Sequence, residues 1–554
     1  MRSRLITASR TCLPAGAAAV AVAAALLAFR ADSSPRASAP PAPTPGSGAA
    51  ATGGGAKMTP ASGWAEVERL VKEQKLEAAA TAAGAIRVAA QLRGDEAQWT
   101  RALVRQTQLR IALGGYETAV RFLKEQAWPA DPLDRCALDL FYAHALATYL
   151  DAYSWEIGTR EKVEARGAVD LKAWTREQIF AEAQRAYAEV WAARERLGAA
   201  PVGRLGEYID PNTYPPEVRG TLRDAVSYLF AELLADTSDW RPEQSSEVWA
   251  LDLGALLGSA PGAGVALDDP AVHPLVKVCA ILADLEAWHA SRGERAAELE
   301  ARLERARRLD AEFTSAEDRA QVRADLAARL PAFRTVGWWA EGMAQLAELT
   351  REDDAPDALV RARAIAREGL AAYPDTVGGR HCNAIVAAIE ARDFRVQAMT
   401  ADAPGRRSIE VTHANLTALW FHAYRVDLLA RIAGARDYNL LPDGAEVEAL
   451  VRSATPAASW RTELPPTPDY RPHRTFVTPP PLRRGMYVIA ASAREDFAAG
   501  DNRLESVAML VGDLVLVTRQ DEGEIEARVV SGETGAPVAG ATVDLYRYDW
   551  QRGH

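Results

Sequence analysis

Between about 58 and 393 the apolar residues recur three and four positions apart, the spacing of one face of a helix. Leu275, Val278, Cys279, Leu282 and Leu285 show it most clearly. Prolines punctuate the pattern at Asp131-Pro132, Asp210-Pro211, Tyr214-Pro215-Pro216 and Tyr373-Pro374. A proline ends a helix and biases the residue before it away from helical backbone. The segment 355–372, closed by Tyr373-Pro374, resembles the second helix of a tetratricopeptide repeat. No fixed period holds across the whole stretch, so the expectation is an irregular, TPR-like α-helical array over 58–393.

Beyond about Val396 the period changes to two. Trp420, His422, Tyr424 and Val426 alternate with Leu419, Phe421, Ala423 and Arg425. Met486, Val488 and Ala490 alternate with Tyr487, Ile489 and Ala491, and Leu514 and Leu516 with Val515 and Val517. Alternation sends one set of side chains into a core and the other into solvent or a neighbouring sheet. The proline-rich stretch 465–481 reads as a loop or edge connection, because proline cannot donate to a ladder. The expected order is therefore helices first and β-sandwich domains second: one over 394–510, and the start of another over 511–554. A sandwich needs about seven strands. Only three are legible after Leu514, so the second is expected to be incomplete and the chain to be the leading part of a longer protein.

Two further segments precede the helices. Arg2, Arg4 and Arg10 lead into an apolar run ending at Phe29, the pattern of an export signal. Residues 1–30 are thus a cleaved signal or an uncleaved inner-membrane anchor. Residues 31–57 are rich in Ala, Pro, Ser and Gly and read as a disordered linker. This places the folded part outside the cytoplasm, in the periplasm or at the cell envelope. A net charge of −11 gives no basic footprint for nucleic acid.

The final stretch carries a resemblance. Gly485-Met486-Tyr487-Val488 and the run Thr534-Gly535-Ala536-Pro537-Val538-Ala539-Gly540-Ala541-Thr542-Val543 are similar to strands and turns in the macroglobulin-type sandwiches of the bacterial alpha-2-macroglobulin family. Asn415 with Tyr424-Arg425-Val426-Asp427, Tyr373-Pro374-Asp375-Thr376 with Cys382, and Gly220-Thr221-Leu222-Arg223-Asp224 resemble family segments too. So does 138–160, LDLFYAHALATYLDAYSWEIGTR, as a helix pair closed by an arginine. The resemblance implies endopeptidase inhibition by trapping, with proteases as partners engaged through downstream parts. The family's thioester signature, Cys-x-Glu-Gln, follows none of Cys12, Cys136, Cys279 or Cys382. The rival expectation is an envelope scaffold whose helical array binds other proteins.

Candidate chemistry is sparse. The cysteines are scattered, without the paired spacing of a zinc site, and those in the helical pattern read as small core hydrophobes. His381-Cys382 would make a reactive thiolate only if the two side chains met, and neighbours on a helix diverge by about 100°. His413 and His422 have opposite parity and would face opposite sides of one continuous strand. Asn415-Leu416-Thr417 matches a glycosylation sequon by chance, Trp338-Trp339 reads as packing, and the acidic stretch 352–357 as a solvated helix start. No catalytic, cofactor-binding or metal-ligating residue is assigned, and no enzyme or cofactor is expected.

Overall fold

The computed structural model describes residues 60–160, 169–209, 212–261, 264–398, 407–434, 440–500, 502–521 and 524–546. The leader 1–30, the linker 31–57, Cys12 and the break at Asp210-Pro211 lie outside the described residues. The described chain is helical from Pro60 to Glu390 and then forms small antiparallel sheets. It divides into two compact units after Gly342, inside the helix Trp339–Arg351. Among the described residues no helix is long and apolar enough to cross a membrane.

In the first unit, successive helices pack on one another along the chain. Among them are α1 Pro132–Ala152, α2 Arg176–Ala192, α3 Leu222–Ala235, α4 Pro274–Arg292 and α5 Arg295–Glu312. Two of the proline breaks, at Pro132 and Pro216, act as helix starts. Asp131 caps α1 by accepting from the amides of Leu133 and Asp134, and Pro132 occupies the first turn, where no amide donor is needed. Thr221 and Asp224 form a reciprocal capping box on α3. Leu275, Val278, Cys279, Leu282 and Leu285 are all buried, as their spacing predicts. The aromatic segment 138–160 does form a helix followed by a short one, and Arg160 closes it by donating to the carbonyls of Leu171 (2.5 Å) and Trp174 (3.2 Å).

The second unit opens with two more helices, α6 Ala358–Ala372 and α7 Val377–Glu390, before its sheets. Strands β1 Asp393–Ala398, β2 Ile409–Ala414 and β5 His473–Val477 form one sheet in the order β1-β2-β5. Strands β3 Ala418–Val426, β4 Ala458–Glu463, β6 Gly485–Ser492 and β7 Leu504–Val511 form a second, ordered β4-β3-β6-β7. Phe394, Val396, Ile409 and Val411 of the first sheet share one apolar core with Leu419, Phe421, Tyr487, Ile489 and Met509 of the second. The proline-rich stretch does hold an edge strand, β5.

Four sequence expectations need correction. The other face of β3 and β6 meets neither solvent nor a sheet. It is covered by α8, Gly444–Ser453, whose Val447 packs with Tyr424, Val488, Ala490 and Phe497. The region 394–510 is therefore not all β. His413 and His422 do not share a strand: Asn415, with φ of 59°, turns the chain out of β2 and into β3 of the other sheet. Among the described residues β8 Leu514–Asp521 pairs only with β9 Glu524–Ser531, which adds one isolated bridge from Val530 to Pro537, and Leu514, Leu516 and Ile525 are 61%, 53% and 54% exposed. After them Gly535 takes the positive φ that a tight turn requires (72°), but residues 541–546 join no strand.

Candidate functional site

The helical unit buries an extended ionic lattice. Arg219, at the end of the short helix Pro216–Arg219, lies between the rings of Tyr214 (4.0 Å) and Tyr228 (3.6 Å). Its guanidinium donates to Glu300 (2.6 Å) and Glu304 (3.0 Å) on α5. Arg307 binds the same two carboxylates, at 2.5 and 2.8 Å. Trp338 donates its indole N–H to Glu300 at 2.7 Å, so the tryptophan pair is packing, with a specific anchor. Burial would raise the Glu304 carboxyl, but Arg307, Arg219 and Arg308 outweigh it and hold it at about 2.

A second limb of the lattice starts from α3. Arg223 reaches Asp284 (2.7 Å) and Glu195 (2.8 Å), and Arg194 grips the same Asp284 at 2.9 and 3.0 Å. His289 stands between Asp224 and Glu294, each 2.8 Å from one ring nitrogen. Further along, Arg302 and the fully buried Arg305 share Glu286. These groups pair mainly with one another and together tie α3, α4 and α5, though Nε of Arg219, Arg223 and Arg305 and Nη1 of Arg305 find no partner among the described residues. Sequence reasoning missed them because Arg and Glu on a helix usually form a solvated face. The usable signal was that Leu299, Leu303, Ala306 and Leu309 leave too little polar surface on α5 for all of its charges to face water.

One acid in the helical unit is perturbed without such a partner set. Burial, reinforced by Glu189, pushes the Asp139 carboxyl up to about 6, and its Oδ1 accepts from no group among the described residues. Cys136, one turn earlier, is buried, as are Cys279 and Cys382. Burial pushes the Cys136 and Cys279 thiols up to about 12. Cys382 lies on the inner face of α7 while His381 is half-buried beside it. Among the described residues no group of three His, Cys, Asp or Glu side chains could hold a metal ion.

In the second unit a cleft of about 440 Å³ opens where α6 and α7 meet the first strands. Asn415 builds one wall. Its amide group donates to the carbonyls of Ile389 and Ala391, both at 2.8 Å, and so joins the end of α7 to the turn before β3. The sequon is thus a structural joint whose amide nitrogen is fully engaged. Tyr470 also lines the cleft, again at positive φ (60°), with Arg363 over its ring at 5.1 Å. A non-glycine residue held there costs roughly 1–3 kcal/mol, and such costs concentrate where a surface must keep a set shape. The acidic stretch is a helix start as expected: Asp353 and Asp357 both pair with Arg361 on α6.

Comparison of the chain with family models, curated proteins and solved structures finds no match.

Proposed function

We propose that this chain is the leading part of a macroglobulin-type endopeptidase inhibitor of the bacterial envelope. In this reading the helices form a TPR-like array, β1 to β7 form the first macroglobulin-type sandwich, and β8 and β9 open the second. The observation that carries it is the β8–β9 hairpin. An isolated two-stranded hairpin is marginal in water, and this one presents Leu514, Leu516 and Ile525 to solvent. Further strands of a sandwich would cover them. The resemblance of the turn Thr534–Val543 to that family points the same way. In the trap the present chain positions and binds, while the chemistry lies elsewhere.

Export fits the apolar run that follows Arg10, and the Ala/Pro/Ser/Gly stretch would hold the folded units away from the membrane. The test is to incubate the product of the entire reading frame with trypsin. A steric trap suppresses cleavage of a large protein substrate and leaves cleavage of a small amide substrate intact. Equal cleavage of both, with and without the protein, rejects the trap.

A second reading, a non-enzymatic envelope scaffold, draws on the helical unit. Trp155 and Trp249 are 85% and 74% exposed there, and tryptophan is enriched at the energetic centres of protein interfaces. Absence of trapping, together with loss of a co-purifying envelope protein on Trp155→Ala and Trp249→Ala, selects it.

A further inference from the structure

We propose that the cleft between α6, α7 and the Asn415 turn binds the free C-terminal end of a peptide with small apolar side chains. The inference stands apart from the trap reading, because it rests only on the shape and charge of this cleft. Its volume of about 440 Å³ suits two or three residues of chain and falls in the usual range of ligand sites, ~300–1,000 Å³. The floor is apolar: Leu359 of α6 with Ala388 and Ile389 of α7. That floor favours aliphatic side chains.

The rim is cationic. Arg351 and Arg392 both border the cleft. The one acid among its lining residues, Asp393, is already engaged by the guanidinium of Arg503. Among the described residues Arg351 is held by Glu348, through an ion pair whose side chains are 37% and 41% exposed. An exposed pair of this kind is worth little, so the guanidinium can turn to a better-placed anion. A peptide carboxylate offers two oxygens in the planar geometry that arginine binds bidentately.

The walls supply the rest of the recognition. Asn415 spends both amide hydrogens on Ile389 and Ala391, which leaves its carbonyl oxygen as the acceptor it offers to a peptide N–H. Tyr470, held at positive φ, lines the same cleft. Apolar floor, cationic rim and one acceptor for a main-chain amide together describe a chain terminus. A fatty acid would find no use for the acceptor, and an internal peptide segment would bring no carboxylate.

The experiment is fluorescence polarisation of the full chain with a fluorescein-labelled hexapeptide ending in Leu-Val, as the free acid and as the C-terminal amide. The free acid should bind, with the amide weaker by about tenfold or more, the cost of one charge-assisted contact. Arg351→Gln should erase the difference between acid and amide. Ala388→Trp should abolish binding, since Ala388 is exposed on α7 and a large ring there fills the cleft without touching the core. Both sites are at the surface, and unchanged circular dichroism would show that the variants fold. Equal affinity for acid and amide overturns the proposal. So does the absence of binding, or binding that survives Ala388→Trp.

Discussion

Strands β6 and β8 follow the same rule of alternation and meet opposite fates. Every residue of β6 from Met486 to Ala491 is buried, on both faces. Leu514, Val515, Leu516 and Val517 of β8 are as apolar, and all stand exposed. The difference lies in the neighbours. β6 has β3 and β7 at its edges, the facing sheet on one side and α8 on the other. β8 has only β9. Period-two patterning therefore specifies that a segment is a strand, while burial depends on what else the chain brings to it.

The largest test of the contrast is Phe421→Ala. Phe421 is fully buried in the shared core and stacks on Trp460 at 5.0 Å. Removing it should destabilise the sheets by about 3–5 kcal/mol, read as lost hydrogen-exchange protection in β3 and β6. An intact exchange pattern would mean that the two sheets do not depend on a common core. A smaller loss, about 1–3 kcal/mol, is expected for Asn415→Ala, which gives up two hydrogen bonds and places alanine at positive φ. Loss confined to β1, β2 and the end of α7 would locate the joint there.

The next test uses pH. His413 is buried in β2 opposite Phe394 and His473, and neither of its ring nitrogens has a partner among the described residues. Desolvation first, and then His473, which itself faces Asp469, lower its pKa from 6.5. The unfolded chain then binds more protons than the folded one below that value. Stability of this sheet is full above about 6.5 and declines as the pH falls through the folded pKa. Exchange protection of β2 and β5, corrected for intrinsic rates, should fall on acidification, and His413→Leu should flatten the trend. The smallest effect on stability belongs to Leu516→Thr, within about 0.5 kcal/mol, since the side chain is already in water. It should nonetheless reduce self-association in sedimentation velocity, because exposed apolar strand edges are templates for pairing. A loss as large as that of Phe421→Ala would show that β8 is buried after all.

The change from helix to sheet was legible in the sequence, and its place was nearly right: α7 ends at Glu390 and β1 begins at Asp393. The start of α1 was legible from the break at Asp131-Pro132. The helix α8 was missed, although Asp443 and Glu446 form a capping box three residues apart. Its ten residues fall among strands, where a short helix is easily absorbed into the surrounding pattern. The buried ionic lattice was invisible for a different reason. Pairing between Arg219, Glu300 and Glu304 joins positions about eighty residues apart, and nothing local announces it. The cleft was equally hidden, since its lining comes from segments far apart in sequence: Arg351 and Leu359, 388–393, 414–415 and 470–472. Asn415 was noticed only in a sequon and in a family-like segment, not as a joint.

The three buried cysteines have one more consequence. A thiol poised near 12, as in Cys136 and Cys279, is thiolate in only about one molecule in ten thousand at pH 8, and thiolate is the form that attacks a disulfide. These sulfurs are redox-silent while the helices stay folded. A chain built this way keeps its unpaired cysteines from scrambling in an oxidising solution, where folding becomes a race between helix packing and oxidant.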